Sequence, residues 1–219
     1  MYSAIIGDVK GSRNIENWQE FARELKRTLD EINSIFRKDI LIPFEITAGD
    51  EFQGVLKSPE RTPHVLEELH FRLFMRIYTG VGLGDVERGI DERTALRGSA
   101  FYRAREALES CKDSGRIVVV RSPDSLFDRT VNAIYFLVQS IQEKWTQRQR
   151  EIIQFYRRHM DYTYEEIGNH FGISKQAVHK QIKSARFHAV LEGMEAVRDL
   201  FVNHERFILE NQPEKDDDG

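Results

Sequence analysis

The sequence predicts an α+β protein: a sheet domain of β-α-β-β-α-β order with a further α-β, then an all-helical domain. Three observations carry this. As far as Val120, short apolar runs bounded by Gly and Pro alternate with stretches whose apolar residues recur at three and four. After Ser122-Pro123-Asp124 only the helical period remains. Within that second part, TYEEIGNHFGISKQAVHKQIKSAR at Thr163 to Arg186 reads as a helix, a tight turn and a second helix.

Taken in order, Tyr2 to Ile6 is a buried strand ending in Gly7-Asp8, and Lys10 to Arg13 form a tight loop. Asn14 or Asn17 caps a helix running to Phe36, with Trp18, Phe21, Ala22, Leu25, Leu29, Ile32 and Ile35 on its buried face. Ile40 to Thr47 and Phe52 to Leu56 are hairpin strands around Ala48-Gly49-Asp50. Pro59 starts a helix ending at Phe74, and Met75 to Leu83 is a strand. Asp85 to Arg97 is a charged, mobile loop. Gly98 to Ser110 is a helix with Ala100, Ala104, Ala107 and Leu108 inward, and Arg116 to Val120 is the last strand. Two split βαβ units of this kind make a ferredoxin-like sheet with helices on one face.

In the second part, Ser125 to Glu143 is a helix with Val131, Ile134, Tyr135, Leu137, Val138 and Ile141 apolar, a connector or a dimer helix. Ile167, Phe171, Val178 and Ile182 fall where two helices would meet, Gly168 permits a close crossing, Gly172 ends the first helix and Ser174 caps the second. Ala189 to Leu209 is the last helix, with Phe207 and Ile208 among its apolar residues, and the tail NQPEKDDDG has nothing to bury. The expected division is a sheet domain over 1–122, a connector helix over 123–143, a helical domain over 144–210 and a disordered acidic tail over 211–219.

Composition narrows the function classes. A hydrophobic content of 40% and a charged content of 31% fit a water-soluble globular chain. There is no apolar run of membrane-spanning length, and MYSAIIGDVKG meets an Asp too early for a signal peptide, so neither membrane nor export is expected. The single Cys111 excludes an internal disulfide framework and a Cys-based zinc site, which fits a cytoplasmic protein. Net charge is −4 over the whole chain, yet residues 138 to 190 carry nine Lys and Arg against five Asp and Glu. The basic excess lies where the two-helix stretch lies, so a salt-sensitive polyanion contact belongs there.

Two sets of residues carry chemistry. The second helix of the pair presents Ser174, Lys175, Gln176, His179, Lys180 and Lys183 on its polar side. Amides and cations at the start of such a helix match DNA base edges and phosphates. A solvated basic face is the bland alternative. In the sheet domain, a central first strand brings Asp8 near Asp50 and Glu51, hard oxygen ligands suited to Mg²⁺. Lys10, Gly11, Ser12 and Arg13 open a helix, where backbone N–H groups and the two cations suit a phosphate. Asp50 as a mere turn residue, and Asp8 as a loop cap, stay open as readings.

The two-helix stretch, with WTQRQREIIQFYRRH before it, resembles the helix-turn-helix of sigma-factor region 4. IIGDVKGSR, ITAGDEFQG, GVGLGD and RGSAFYRAREAL resemble the SatD family and, more distantly, class III nucleotidyl cyclase and GGDEF domains. The cyclase resemblance implies metal binding at Asp8 and Asp50, with Glu51 matching the GGDEF glutamate; Arg103, which flanks a family nucleotide position without matching it, is a further nucleotide-binding candidate. It also shows departures. Ile46 stands where cyclases commonly carry a purine-reading Lys. Tyr102 and Glu106 stand where they carry an Asn and a transition-state Arg. An acid there would repel developing phosphoryl charge, so cyclase chemistry is not the leading expectation.

The expectation is therefore a homodimeric DNA-binding regulator whose cyclase-like sheet domain senses a nucleotide or cyclic nucleotide with Mg²⁺. The alternative is an active Mg²⁺-dependent nucleotidyl cyclase or nucleotidyltransferase. The bland reading is a sheet domain that only dimerises.

Overall fold

The computed structural model describes residues 1–12, 15–74, 76–87 and 97–210. Its elements are β1 (Tyr2–Val9), α1 (Trp18–Ile35), β2 (Ile40–Ala48), β3 (Glu51–Leu56), α2 (Thr62–Leu73), β4 (Ile77–Gly84), α3 (Ser99–Ser114) and β5 (Val118–Arg121). The helices α4 (Ser125–Gln142), α5 (Gln147–Arg158), α6 (Tyr164–Phe171), α7 (Lys175–Ser184) and α8 (Phe187–Glu210) follow. Arg13, Asn14, Met75, the 88–96 part of the expected charged loop and the 211–219 tail lie outside the described residues, as do the side chains of Phe207 and Ile208. Among the described residues, no helix is long and apolar enough to cross a membrane. The chain divides into two compact units, Met1–Asn132 with the chain from Val197, and Ala133–Ala196. The boundaries fall inside α4 and α8, not at their ends.

In the first unit the five strands run in the order β2-β3-β1-β4-β5. β1 is antiparallel to both β3 and β4, while β5 lies parallel to β4. A central strand is covered on both faces, which is why β1 is apolar without alternation: Ala4, Ile5, Ile6 and Val9 are all buried. Alternate residues nonetheless meet different partners. Ala4 and Ile6 join Val55 and the α3 residues Ala100, Phe101, Ala104 and Leu108 in one core cluster. Ser3 and Thr79 face α2, through the hydroxyl of Thr62 at 2.8 Å and the ring of His70 at 3.0 Å. The sheet therefore carries helices on both faces, not on one. The α3-β5 extension supplies a parallel crossover that covers the side opposite α2.

Local chemistry sets the element ends. Asn17, not Asn14, caps α1, its side chain accepting the Glu20 N–H at 3.3 Å. Ile35 is 57% exposed although the last turn of α1 stays on the sheet, with Ile32 buried and Asn33 bonded to the Phe44 backbone of β2; Thr28 is buried on the inner face. Pro59–Arg61 forms a single 3-10 turn capped by Ser58, and α2 starts only at Thr62. α3 runs one turn beyond Ser110 before Gly115 ends it in the left-handed region.

Edge strand β5 is held by α4. The buried Asn132 side chain takes the Val120 N–H at 2.7 Å and gives its own N–H to the Val120 carbonyl at 2.9 Å. Asn132→Ala leaves a buried donor and a buried acceptor without partners. A loss of about 2 kcal/mol or more is expected in urea unfolding, against under 1 kcal/mol for an exposed polar residue.

The second unit is helical. Thr146 and Thr163 each close a capping box, with Gln149 and Glu166 respectively. Gly172 ends α6 at φ +64, and the chain then turns back so closely that the Ile173 N–H reaches the Gly168 carbonyl at 2.9 Å. Gly168 gives room to the turn and to the start of α7, since a Cβ would stand 2.5 Å from the Ile173 oxygen and 3.4 Å from the Lys175 nitrogen. Trp145 donates its indole N–H to the Ala185 carbonyl at 2.7 Å, tying the start of α5 to the end of α7. Ile152, Ile153, Ile167, Val178, Ile182 and Phe187 form the buried interior of this unit. Of the apolar residues of α4, Leu137 is 64% exposed, while Val138 is buried beside Gly193, where a Cβ would come 3.0 Å from its Cγ2.

Candidate functional site

Asp8 is the last α3-facing residue of β1, two positions beyond Ile6. Its cross-strand neighbours are Glu51 on β3 and Tyr78 on β4. Asp50 occupies the adjoining turn, and its carbonyl accepts the Val9 N–H at 3.3 Å. The strand ends thus gather Asp8, Asp50 and Glu51, as the sequence expectation placed them.

Two cations on α3 answer these carboxylates. Lys112 Nζ lies 3.1 Å from Asp8 Oδ2 and 4.0 Å from Glu109. Both terminal nitrogens of Arg105 donate to Glu51, Nη2 to Oε1 at 2.9 Å and Nη1 to Oε2. Positions 105, 109 and 112 follow one another at four and three along one side of the helix, which is why a single helix serves two strands. The spacing is visible in the sequence, but only the antiparallel register turns it toward Asp8 and Glu51.

The electrostatics follow from this packing. Burial raises the Asp8 carboxyl above its ordinary value. The Lys112 hydrogen bond and charge pull it back, and Asp50 and Glu51 push it up again. Burial alone would lower the Lys112 ammonium, but the hydrogen bond and charge of Asp8, with Glu109 and Glu51, raise it. The two shifts would favour opposite charge states for one contact. The 3.1 Å approach decides for the ion pair, since a neutral partner would leave the other charge unanswered. Arg105 is raised first by its hydrogen bond to Glu51.

The other expected nucleotide residues do not all gather here. Lys10 follows the end of β1 and sits over the Tyr78 ring at 5.0 Å. Gly11, in the left-handed region, and Ser12 continue the turn, and the Ser12 carbonyl accepts the Ile15 N–H at 3.3 Å. This loop does not open the helix directly: α1 begins at Trp18, and Asn17 already occupies a donor at its start. Arg13 is outside the described residues. Arg103 binds the Leu83 carbonyl at 2.8 Å, beside Ser3 in the register and five residues from Asp8, about 17 Å along the strand. It belongs to the opposite end of β1: Arg103 and Arg105, two positions apart, lie on different sides of α3, and only Arg105 faces Glu51. Tyr102 is 70% exposed and Glu106 is exposed.

Mg²⁺ needs hard oxygen ligands at short range in near-octahedral geometry. Here Asp8 and Glu51 are committed to Lys112 and Arg105. Among the described residues, no group of three or more His, Cys, Asp and Glu is arranged to hold a metal ion. With its pairs in place, the cluster fits internal cations and does not fit Mg²⁺.

In the second unit, Ser174 caps α7 by accepting the Ala177 N–H at 3.2 Å. Val178 and Ile182 are buried, while Ser174, Lys175, Gln176, His179, Lys180 and Lys183 are all exposed on the other side. The turn before α7 is braced by Arg148 of α5, which donates to the Phe171 carbonyl at 2.8 Å and lies over the Phe171 ring. A rigid helix presenting three lysines, an amide and an imidazole to solvent can meet a polyanion along one stripe.

No curated protein matches this chain. Among solved structures it is similar to one titled "Structure of a bacterial light-regulated adenylyl cyclase", with 9% identity and a TM-score of 0.36 over 54% of this chain and 74% of that one. A likeness that slight bears no weight for function. A sequence model of the SatD family matches residues 2–201, which is nearly the whole described chain and spans both units, and the chain belongs to the SatD family.

Proposed function

We propose that this chain is a DNA-binding transcriptional regulator whose sheet unit senses a nucleotide or cyclic nucleotide. In this reading the first unit is a ferredoxin-like, cyclase-related fold and α6-turn-α7 is a helix-turn-helix of the sigma-region-4 kind. The observation that carries it is the two-sidedness of α7. Val178 and Ile182 anchor the helix, and Lys175, Gln176, His179, Lys180 and Lys183 stand on the exposed face. A recognition helix requires this division, with its N-terminal side chains at base edges and its lysines at phosphates. One such helix reads one half-site, so the working form is a homodimer, acting in the cytoplasm.

Binding of a labelled duplex from the chain's own upstream region, measured by anisotropy across a salt series, tests the reading. Lys175→Ala with Lys180→Ala is expected to weaken binding and to reduce the log–log salt slope by about 2 per subunit, one for each phosphate that is no longer neutralised. An unchanged affinity and slope would sink it. In the sheet unit, a nucleotide panel in a thermal-shift assay locates the ligand. Product formed from ATP or GTP and abolished by Asp50→Asn would instead favour the cyclase alternative.

A further inference from the structure

The strand-end cluster stands apart from the usual logic of converging carboxylates. Asp8, Glu51 and Asp50 meet at adjoining strand ends and would repel one another if nothing lay between them. A protein can answer such repulsion with a divalent ion or with a cation of its own. We propose that Lys112 is the resident cation of this site, standing in for a divalent ion, so that the strand-end cluster is complete without Mg²⁺. The inference rests on the geometry of the cluster and not on the nucleotide reading.

Three features support it. The ammonium is in direct contact with Asp8, whose side chain is 17% exposed, at 3.1 Å. Its stem leaves α3 one turn beyond Leu108, which is fully buried against the sheet, so the helix bearing Lys112 is pinned in place. Arg105 meanwhile engages both oxygens of Glu51. That leaves Asp50 and one oxygen of Asp8, too few protein ligands for a closed site. An incoming Mg²⁺, which sheds water reluctantly, would have to expel the ammonium and turn the guanidinium away. The remaining N–H donors of Lys112 and Arg105 are the positive charge this site offers to a ligand.

Mn²⁺ serves as the probe, read by its free-ion paramagnetic resonance signal and by thermal shift, with no nucleotide present. The wild-type chain is expected to bind no Mn²⁺ at the site and to melt at the same temperature in EDTA and in Mg²⁺. Lys112→Met and Lys112→Gln, which keep the stem and remove the charge, are expected to gain Mn²⁺ binding about tenfold tighter or more. Adding Asp8→Asn to either variant should abolish the gain. Wild-type protein that binds one Mn²⁺ lost in Asp8→Asn overturns the proposal. So do folded Lys112 variants that bind no more Mn²⁺ than the wild type. Should both Lys112 variants fail to fold, the wild type compared with Asp8→Asn still decides. Because no nucleotide is used, a failure of the ligand reading leaves this result standing.

Discussion

Gly82→Ala is expected to cost about 3 kcal/mol or more, which is over half of the stability margin if that margin is at the low end of the usual range. Gly82 lies in β4 between Ala4 of β1 and Arg121 of β5, on the face covered by α3. A Cβ at this position would stand 1.9 Å from the Ala100 carbonyl oxygen and 2.3 Å from the Ala104 nitrogen. Both are backbone atoms of α3, and Ala100, Ala104 and Leu108 are fully buried, so the helix has no direction in which to give way. Its only relief is to lift from the sheet, which exposes the Ala4, Ile6 and Val55 cluster. Gly84→Ala provides the control. There the two nearest atoms are the ends of the Ser99 and Arg103 side chains, which can yield at the cost of their hydrogen bonds to Asp85 and Leu83, and the nearest backbone atom, the Ala100 nitrogen, is at 2.9 Å. Urea unfolding should place Gly84→Ala clearly above Gly82→Ala in stability. Equal losses would mean that α3 is not seated tightly on β4.

The second large effect is a loss of stability on mild acidification, carried by His70. Its Nε2 meets the Thr79 hydroxyl at 3.0 Å, and its Nδ1 is enclosed with no hydrogen-bond partner. The residue as a whole is half-buried, but the ring is the enclosed part and governs titration. Burial, with a smaller push from Lys10, lowers its pKa from 6.5 to about 3. A folded-state pKa below the unfolded value gives stability that is present above pH 6.5. It is lost as pH falls toward 3, because the unfolded chain takes up the proton first. The slope is about 1.4 kcal/mol per pH unit, so roughly 2 kcal/mol disappears between pH 6.5 and pH 5. His204, also lowered by burial, acts with the same sign. Asp8 and Asp128 are raised by burial and act oppositely, adding stability as pH falls toward the ordinary carboxylate range. His70→Gln keeps a polar group near Thr79 and removes the titration. Denaturant unfolding at several pH values should show a flatter dependence in the variant than in the wild type. Parallel curves would assign the acid sensitivity elsewhere.

Much of this molecule is legible locally. Ser174 marks a helix start because a side-chain oxygen and a backbone N–H three residues on are enough to define it; the boxes at Thr146 and Thr163 have the same local basis but are not among the caps expected from the sequence. Gly172 marks a helix end because the left-handed conformation disfavours any Cβ; Gly115 does the same for α3, where the expected end at Ser110 falls one turn short. The apolar spacing of Phe21, Leu25, Leu29 and Ile32 gives the buried face of α1, while Trp18 and Ala22 are half-buried and Ile35 is exposed. The β-α-β-β-α-β order, with the SatD motifs, was open to reading for the same reason: each element carries its own period.

What the sequence by itself determined is therefore the order of the elements, the caps at Ser174 and Gly172, and the placing of Asp8, Asp50 and Glu51 at neighbouring strand ends. Only the tertiary structure decided what faces those carboxylates. Arg103 and Arg105 are two positions apart in one helix, yet one serves the Leu83 carbonyl at the start of β1 and the other Glu51 at its end. Lys112 showed no motif, and it reaches Asp8 because α3 lies over β4 and β1 at one particular register. Helix and turn signals are short-range, set by neighbours within a turn or so of chain. The pairing of a cation with a carboxylate a hundred residues away is fixed by how buried apolar surfaces dock, and no local pattern records it.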